Sequence, residues 1–131
     1  IPRQGVANIG DQNFTNPNIY RSIRFADVIL MAAEDHHESG NDASAQSYVN
    51  RVRGRAGLPA ITKTGGDLGD AIYLERRLEL VGEGHQFFDA VRKGKAAQEI
   101  NGFQNGKHEV FPIPEIEIQL TGNRWAQNPG Y

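Results

Sequence analysis

The chain has 131 residues, 38% of them hydrophobic, with 15 Gly, 6 Pro and no Cys, which suits one domain with its own core and a good deal of loop. A net charge of −2 leaves no basic excess for nucleic acid or an anionic membrane surface, and the missing thiol excludes disulfides, zinc–thiolate sites and cysteine nucleophiles within it. No apolar run approaches the roughly 20 residues of a membrane-spanning helix.

Residues 1–22 show no sustained periodicity, and Asn13, Thr15, Asn16, Pro17 and Asn18 form a turn-rich run. We read irregular or extended chain here, with one short strand that pairs with sequence outside it. The opening Ile1-Pro2-Arg3 lacks an initiator Met and any leader pattern, so we read the chain as a piece of a longer one.

From Ile23 the character changes. Phe25 to Ala33 contains one polar residue, Asp27; Phe25, Ile29 and Ala32 form one stripe, and Ala26, Leu30 and Ala33 the adjacent one. A helix apolar over that much of its surface packs between neighbours. It should stop before Gly40. Asn41 or Asp42 then caps a second helix, with Ala45, Tyr48, Val49, Val52 and Ala56 inward and Gly57-Leu58-Pro59 as its stop. Arg24 to Gly57 spans 34 residues, the period of a tetratricopeptide hairpin, although that repeat's consensus residues are missing.

After a loop at 60–66, Asp67 is the expected cap of a third helix, with Asp70 in its first turn. Leu68, Ala71, Leu74, Leu78 and Val81 make its apolar stripe, and Gly82 and Gly84 break it. His85 to about Lys95 reads as a fourth helix with Phe87, Phe88 and Val91 inward. Beyond Ala97 the pattern dissolves, save for a short turn from Pro114 to Ile118. The fold class is therefore mainly α: helix hairpins at 23–96 between a loop-rich lead-in and a loop-rich tail at 97–131.

Glu75, Glu79 and Glu83 share one helix face, followed by His85 and Asp89. Such groups can serve as general acid and base, or as ion-paired scaffolding with Arg76, Arg77 and the Arg51, Arg53, Arg55 cluster, Asp89 going to Arg92 or Lys93. Acids this closely interleaved with arginines, with no nucleophile beside them, favour the scaffold. In Glu34-Asp35-His36-His37-Glu38, only Glu34, His37 and Glu38 converge on one helix face; a solvated helix end is the plainer reading. Arg51, Arg53 and Arg55 spread around their helix and are better bridges to Glu75, Glu79 and Glu83 than a phosphate site. Trp125, with Asn123 and Gln127 nearby, has the composition of a sugar-stacking platform, against the plainer role of a packing anchor. It is the one ligand-contact candidate. No catalytic group, metal site or cofactor is called for.

Five segments carry a resemblance. Ile23 to Glu34, with Arg24, Asp27 and Glu34, resembles an Arg-Tyr-Ala-Asp-Val-Leu-Leu-Met-x-Ala-Glu helix of the SusD/RagB proteins. Tyr48 to Pro59, with Asn50, Arg53 and Arg55, resembles their Tyr-Ile-Asn-x-Val-Arg-x-Arg-Ala-Gly-Leu segment. Glu75 to Gly94 resembles their Glu-Arg-Arg signature through Glu75, Arg76, Arg77, Glu79, Glu83, Gly84, Phe87, Asp89 and Arg92. Phe111 to Ile118, with Pro112 and Pro114, and Gln127 to Tyr131, with Asn128 and Pro129, resemble their closing motifs. Departures are Gln86 for Arg, Ala90 for Leu, Lys93 for Trp and Asp35 for Ala.

The resemblance implies tetratricopeptide-like helix pairs in the C-terminal part of a surface-exposed outer-membrane lipoprotein. Such a protein captures glycans or other nutrients above a SusC-like TonB-dependent transporter and is held by an N-terminal lipid anchor. It also implies that the main ligand contacts lie upstream, and that the closing motif is the natural C-terminus. Two alternatives stand beside it: a helical-repeat adaptor for another protein, and a small hydrolase using Glu79, Glu83, His85 and Asp89.

Overall fold

The structure, a computed structural model, describes residues 22–131. The turn-rich run and the strand expected before that point lie outside the described residues. Within them the chain is helical, with no strand: α1 Phe25–Glu38, α2 Asp42–Arg55, α3 Gly65–Glu79, α4 His85–Arg92, α5 Ala96–Glu99 and α6 Glu115–Leu120.

The first two helices are delimited by their ends. The Asn41 side chain accepts the Ser44 N–H at 3.1 Å at the start of α2, satisfying one of the donors a helix N-terminus leaves open. Gly40 and Gly57 close α1 and α2 at φ 78° and 73°, so that Asn41 N–H reaches back to His36 O at 2.7 Å and Leu58 N–H to Arg53 O at 2.9 Å. A side chain at either glycine would strain that left-handed turn.

Helices α1 and α2 form an antiparallel hairpin: Arg51 lies over the Phe25 ring, and His36 stacks on Tyr48. Helix α3 runs antiparallel to α1 and packs on both, which brings Arg76 to Asp27 and Gly69 to His37. The core between them is Ile29, Leu30 and Ala33 of α1, Ala45, Val49 and Val52 of α2, and Leu68 and Ile72 of α3. Helix α4 packs on α3 and α5, and meets α1 through long charged side chains.

Several inward assignments differ from the sequence reading. On α3 the period holds but the face rotates: Leu68, Ile72, Glu75 and Arg76 are buried, while Leu74, Leu78 (60% exposed) and Val81 face outward. Paired charges can occupy a buried face when each finds a partner, and the hydrophobic pattern alone hid that choice. On α1, Phe25 is 69% exposed, whereas Asp27, the polar residue in the apolar run, is buried. Phe88 and Ala56 are also exposed. Helix α3 starts at Gly65 after Thr64, two residues before Asp67; its first N–H goes to Asp42 Oδ2 of α2 at 2.6 Å, so the neighbouring helix does the capping. Helix α4 ends at Arg92, and α5 is a turn of helix where no pattern was visible. Pro114 stands just outside α6 with ψ 133°.

Gly69 sits inside α3, where Ala ordinarily stabilises by about 1 kcal/mol. A Cβ there would lie 2.7 Å from His37 Nε2, and that ring is held by Asp42 at 2.8 Å. Gly69→Ala is therefore expected to destabilise the native chain and to stabilise a His37→Ala background. Urea unfolding of the four variants of this cycle checks the change of sign.

Candidate functional site

The charged side chains converge on the junction of α1, α2, α3 and α4. Arg76, 4% exposed, donates Nη1 to Asp27 Oδ1 at 2.9 Å, Nε to Asp89 Oδ2 at 2.9 Å and Nη2 to Asp89 Oδ1 at 3.3 Å. Both carboxylates are buried. A guanidinium is suited to this place because its planar fork stays charged and satisfies several acceptors together.

Arg24 makes the next joint. It donates to Glu83 Oε2 at 2.8 Å, to Glu79 Oε1 at 3.0 Å and to the Glu79 carbonyl at 2.8 Å. The bonds to Glu83 and then Glu79 raise its pKa, and Arg24 in turn lowers that of Glu83. From α2, Arg53 reaches Glu75 at 2.6 Å and the Pro59 carbonyl at 3.0 Å, and Arg55 reaches Glu79 at 2.6 Å. Arg51, expected among these bridges, turns to Phe25 instead. Arg77 meets Glu99 at 3.4 Å rather than an acid of its own helix. Glu99 also accepts from the Tyr73 hydroxyl at 2.8 Å, and burial together with this bond pushes Tyr73 up to about 12. The Asn50 amide takes both the N–H and the C=O of Ile61, at 2.8 and 2.9 Å, and fixes the loop between α2 and α3.

Across the gap from α1 to α4, Glu34 receives both Arg92 and Lys93, and Asp89 is 3.0 Å from Arg92. Burial works to raise the Glu34 pKa, but the bonds from Arg92 and Lys93 outweigh it and hold the carboxyl at about 2, below its ordinary 4.5. A carboxylate depressed in the folded state contributes stability above its unfolded pKa, and that contribution is lost as the pH falls through its folded value. Stability should thus decline between pH 4.5 and 2 in the native chain, and the Glu34 share of that decline should vanish in Glu34→Gln. Urea midpoints across that pH range measure the difference.

These contacts leave little free chemistry. Among the described residues every buried side-chain nitrogen or oxygen has a partner. Glu79 and Glu83 are engaged by Arg24, and Asp89 by Arg76 and Arg92. His85, beside them, lines two clefts: one of about 290 Å³ with Tyr73, Leu80 and Phe87, the other of about 470 Å³ between α1 and α4 with Met31, Asp35 and Glu38. Of Glu34, His37 and Glu38, the two carboxylates meet on the Lys93 ammonium at 2.6 and 2.7 Å, while His37 turns away to Asp42. Gly84 starts α4 at φ 86°, and Phe87 packs edge-on against Phe88 and near Phe103.

In the tail, Ile113 lies between Pro112 and Pro114, and the Gln127 amide takes its N–H and C=O, both at 2.8 Å. Asn128, before Pro129, donates to the Phe111 carbonyl at 2.6 Å. Gln127 is therefore turned into the chain, its Oε1 accepting the N–H groups of Ile113 and Asn128 and one of its two Nε2 protons going to the Ile113 carbonyl. Trp125 is 55% exposed. The joint at Arg24 was missed from sequence as a partner for Glu79 and Glu83. Its signal was a basic residue just ahead of an apolar run, Phe25 to Ala33, that holds a single acid.

Residues 3–110 match the sequence profile of the SusD family. The chain belongs to the SusD family. SusD-like protein P2 of Formosa agariphila is 32% identical over 143 residues, covering 95% of this chain and 28% of that protein. The crystal structure of a SusD-like protein from Bacteroides fragilis superimposes with a TM-score of 0.77 at 26% identity, over 86% of this chain and 26% of the other. Surface glycan-binding protein A from Bacteroides thetaiotaomicron gives a TM-score of 0.69 at 32% identity, over 84% and 24%. The chain thus spans about a quarter of the length of these SusD relatives, and what it matches is their C-terminal portion.

Proposed function

We propose that this chain is the C-terminal helical scaffold of a cell-surface glycan- or nutrient-binding protein, non-enzymatic, that works with a SusC-like TonB-dependent transporter. The observation that carries the reading is the shared fold with a surface glycan-binding protein at 32% identity, within a family that binds rather than transforms. The local geometry agrees with it: the acids that offered a hydrolytic alternative are committed to Arg24, Arg76 and Arg92. In this reading most ligand contacts come from the upstream part of the protein, Trp125 adds an exposed ring, and an N-terminal lipid holds the protein on the outer membrane.

The test is titration of the full-length protein against a panel of soluble glycans, together with co-purification from membranes. Saturable binding of at least one glycan and recovery of a TonB-dependent transporter are expected. Absence of both would overturn the reading. Trp125→Ala should leave the fold intact, and a weakening of binding in it would bring that ring into the site.

A further inference from the structure

The link between α5 and α6 repeats one dipeptide four residues apart, Asn101-Gly102 and Asn105-Gly106, and all four residues are exposed. Both form the same kind of turn. Gly102 and Gly106 have φ of 80° and 81°, which glycine permits at the third position of a turn. The turns close through Phe103 N–H to Ile100 O at 3.1 Å and Lys107 N–H to Gln104 O at 3.2 Å. An asparagine before glycine carries a latent reaction, because no Cβ shields the next backbone nitrogen from the side-chain amide carbon. That nitrogen loses its proton to a base and attacks Asn Cγ. The new C–N bond closes a five-membered imide, and the Cγ–Nδ2 bond breaks, Nδ2 taking up a proton and leaving as ammonia. Water then opens the imide at either carbonyl, giving aspartate or isoaspartate with no change of oxidation state.

The two turns differ at the nucleophile. Among the described residues the Gly102 N–H has no acceptor, whereas the Gly106 N–H donates to Glu109 Oε1 at 2.9 Å. That bond, first among its contacts, holds the Glu109 carboxyl below its ordinary range, so the group is ionised wherever imides form. Its acceptor oxygen and its negative charge both oppose removal of the Gly106 proton. His108 braces the same turn, its Nδ1 accepting the Gln104 N–H at 3.0 Å. Other asparagines are worse placed: Asn128 precedes Pro129, which has no N–H, and the Asn50 amide is held by Ile61. We infer that Asn101 is a site of spontaneous conversion to aspartate and isoaspartate, and that Glu109 spares the otherwise equivalent Asn105. Isoaspartate lengthens the backbone within the turn that sets Phe103 near Phe87. Either product adds a negative charge two residues from Glu99, the partner of Arg77.

One tryptic peptide, Ala96 to Lys107, holds both sites, so each measurement contains its own reference. The full-length protein, expressed without lipidation, is incubated in mildly alkaline buffer, folded and in urea, and fragmentation mass spectrometry follows conversion at each asparagine. In the folded protein the ratio of Asn101 to Asn105 conversion is expected to exceed the ratio in urea by about tenfold, the scale of a hydrogen bond to a charged group. Glu109→Ala should return that ratio to its value in urea by accelerating Asn105 alone. Glu109→Gln, which keeps an oxygen acceptor without the charge, should move it partway, and it carries the test if Glu109→Ala does not fold. Equal ratios in the folded and unfolded protein overturn the inference, as does a ratio that neither substitution moves. An Asn101 that stays intact in the folded protein while it converts in urea overturns it as well.

Discussion

Arg76→Ala should cost about 3–5 kcal/mol of stability, because it strands Asp27 in the interior and takes from Asp89 its buried partner. The expected signature is a lower urea midpoint with an unchanged slope, since the surface exposed on unfolding stays the same. Asp89 keeps Arg92 at 3.0 Å, so Asp27 bears most of the loss. Combining Arg76→Met with Asp27→Leu should recover more than half of it, as buried ion pairs replaced by apolar side chains of similar bulk commonly are neutral. If the double substitution were as damaging as Arg76→Ala, the cost would lie in lost packing of the arginine stem and not in the uncompensated charge.

Leu30→Ala comes next in size. Leu30 is fully buried at the centre of the three-helix core, where α1 faces both α2 and α3. Truncation removes transfer free energy and leaves a void that helices braced by Arg24, Arg53 and Arg76 cannot easily close, so about 2–5 kcal/mol is expected. Ile72→Val, a smaller deletion in the same core, should cost about 0.5–1.5 kcal/mol. Chemical denaturation of both gives the comparison. A Leu30→Ala cost as small as that of Ile72→Val would mean that the helices do collapse onto the gap.

The sequence was a good guide to which segments become helices and a poorer one to which way they face. Asn41, Gly40 and Gly57 announced their ends because at those ends the capping groups are local. Leu74, Leu78 and Val81 looked inward because hydrophobic spacing cannot see that Glu75 and Arg76 have partners on other helices. The same blindness concealed Arg24, whose acids lie 55 and 59 positions away. The start of α3 at Gly65 was unreadable for a related reason: its first N–H is met by Asp42, a residue of another helix. Trp125 was visible as a candidate, but the engagement of Gln127 with Ile113 depends on how the tail folds back on itself.

The antiparallel pairing of α1 with α3 has a consequence for alignment. Apolar side chains along such a pair are nearly interchangeable, so a shift by one turn, about 3.6 residues, would still bury Leu against Ile. The charges do not permit it. With Arg24 opposite Glu79 and Asp27 opposite Arg76, a slip in one direction sets Arg24 against Arg76, and a slip in the other sets Asp27 against Glu79. Both errors bring like charges together in a poorly hydrated place, where the repulsion is strongest. The two pairs thus act as a vernier: the oily surfaces hold the helices together, and the charges allow a single reading of the scale.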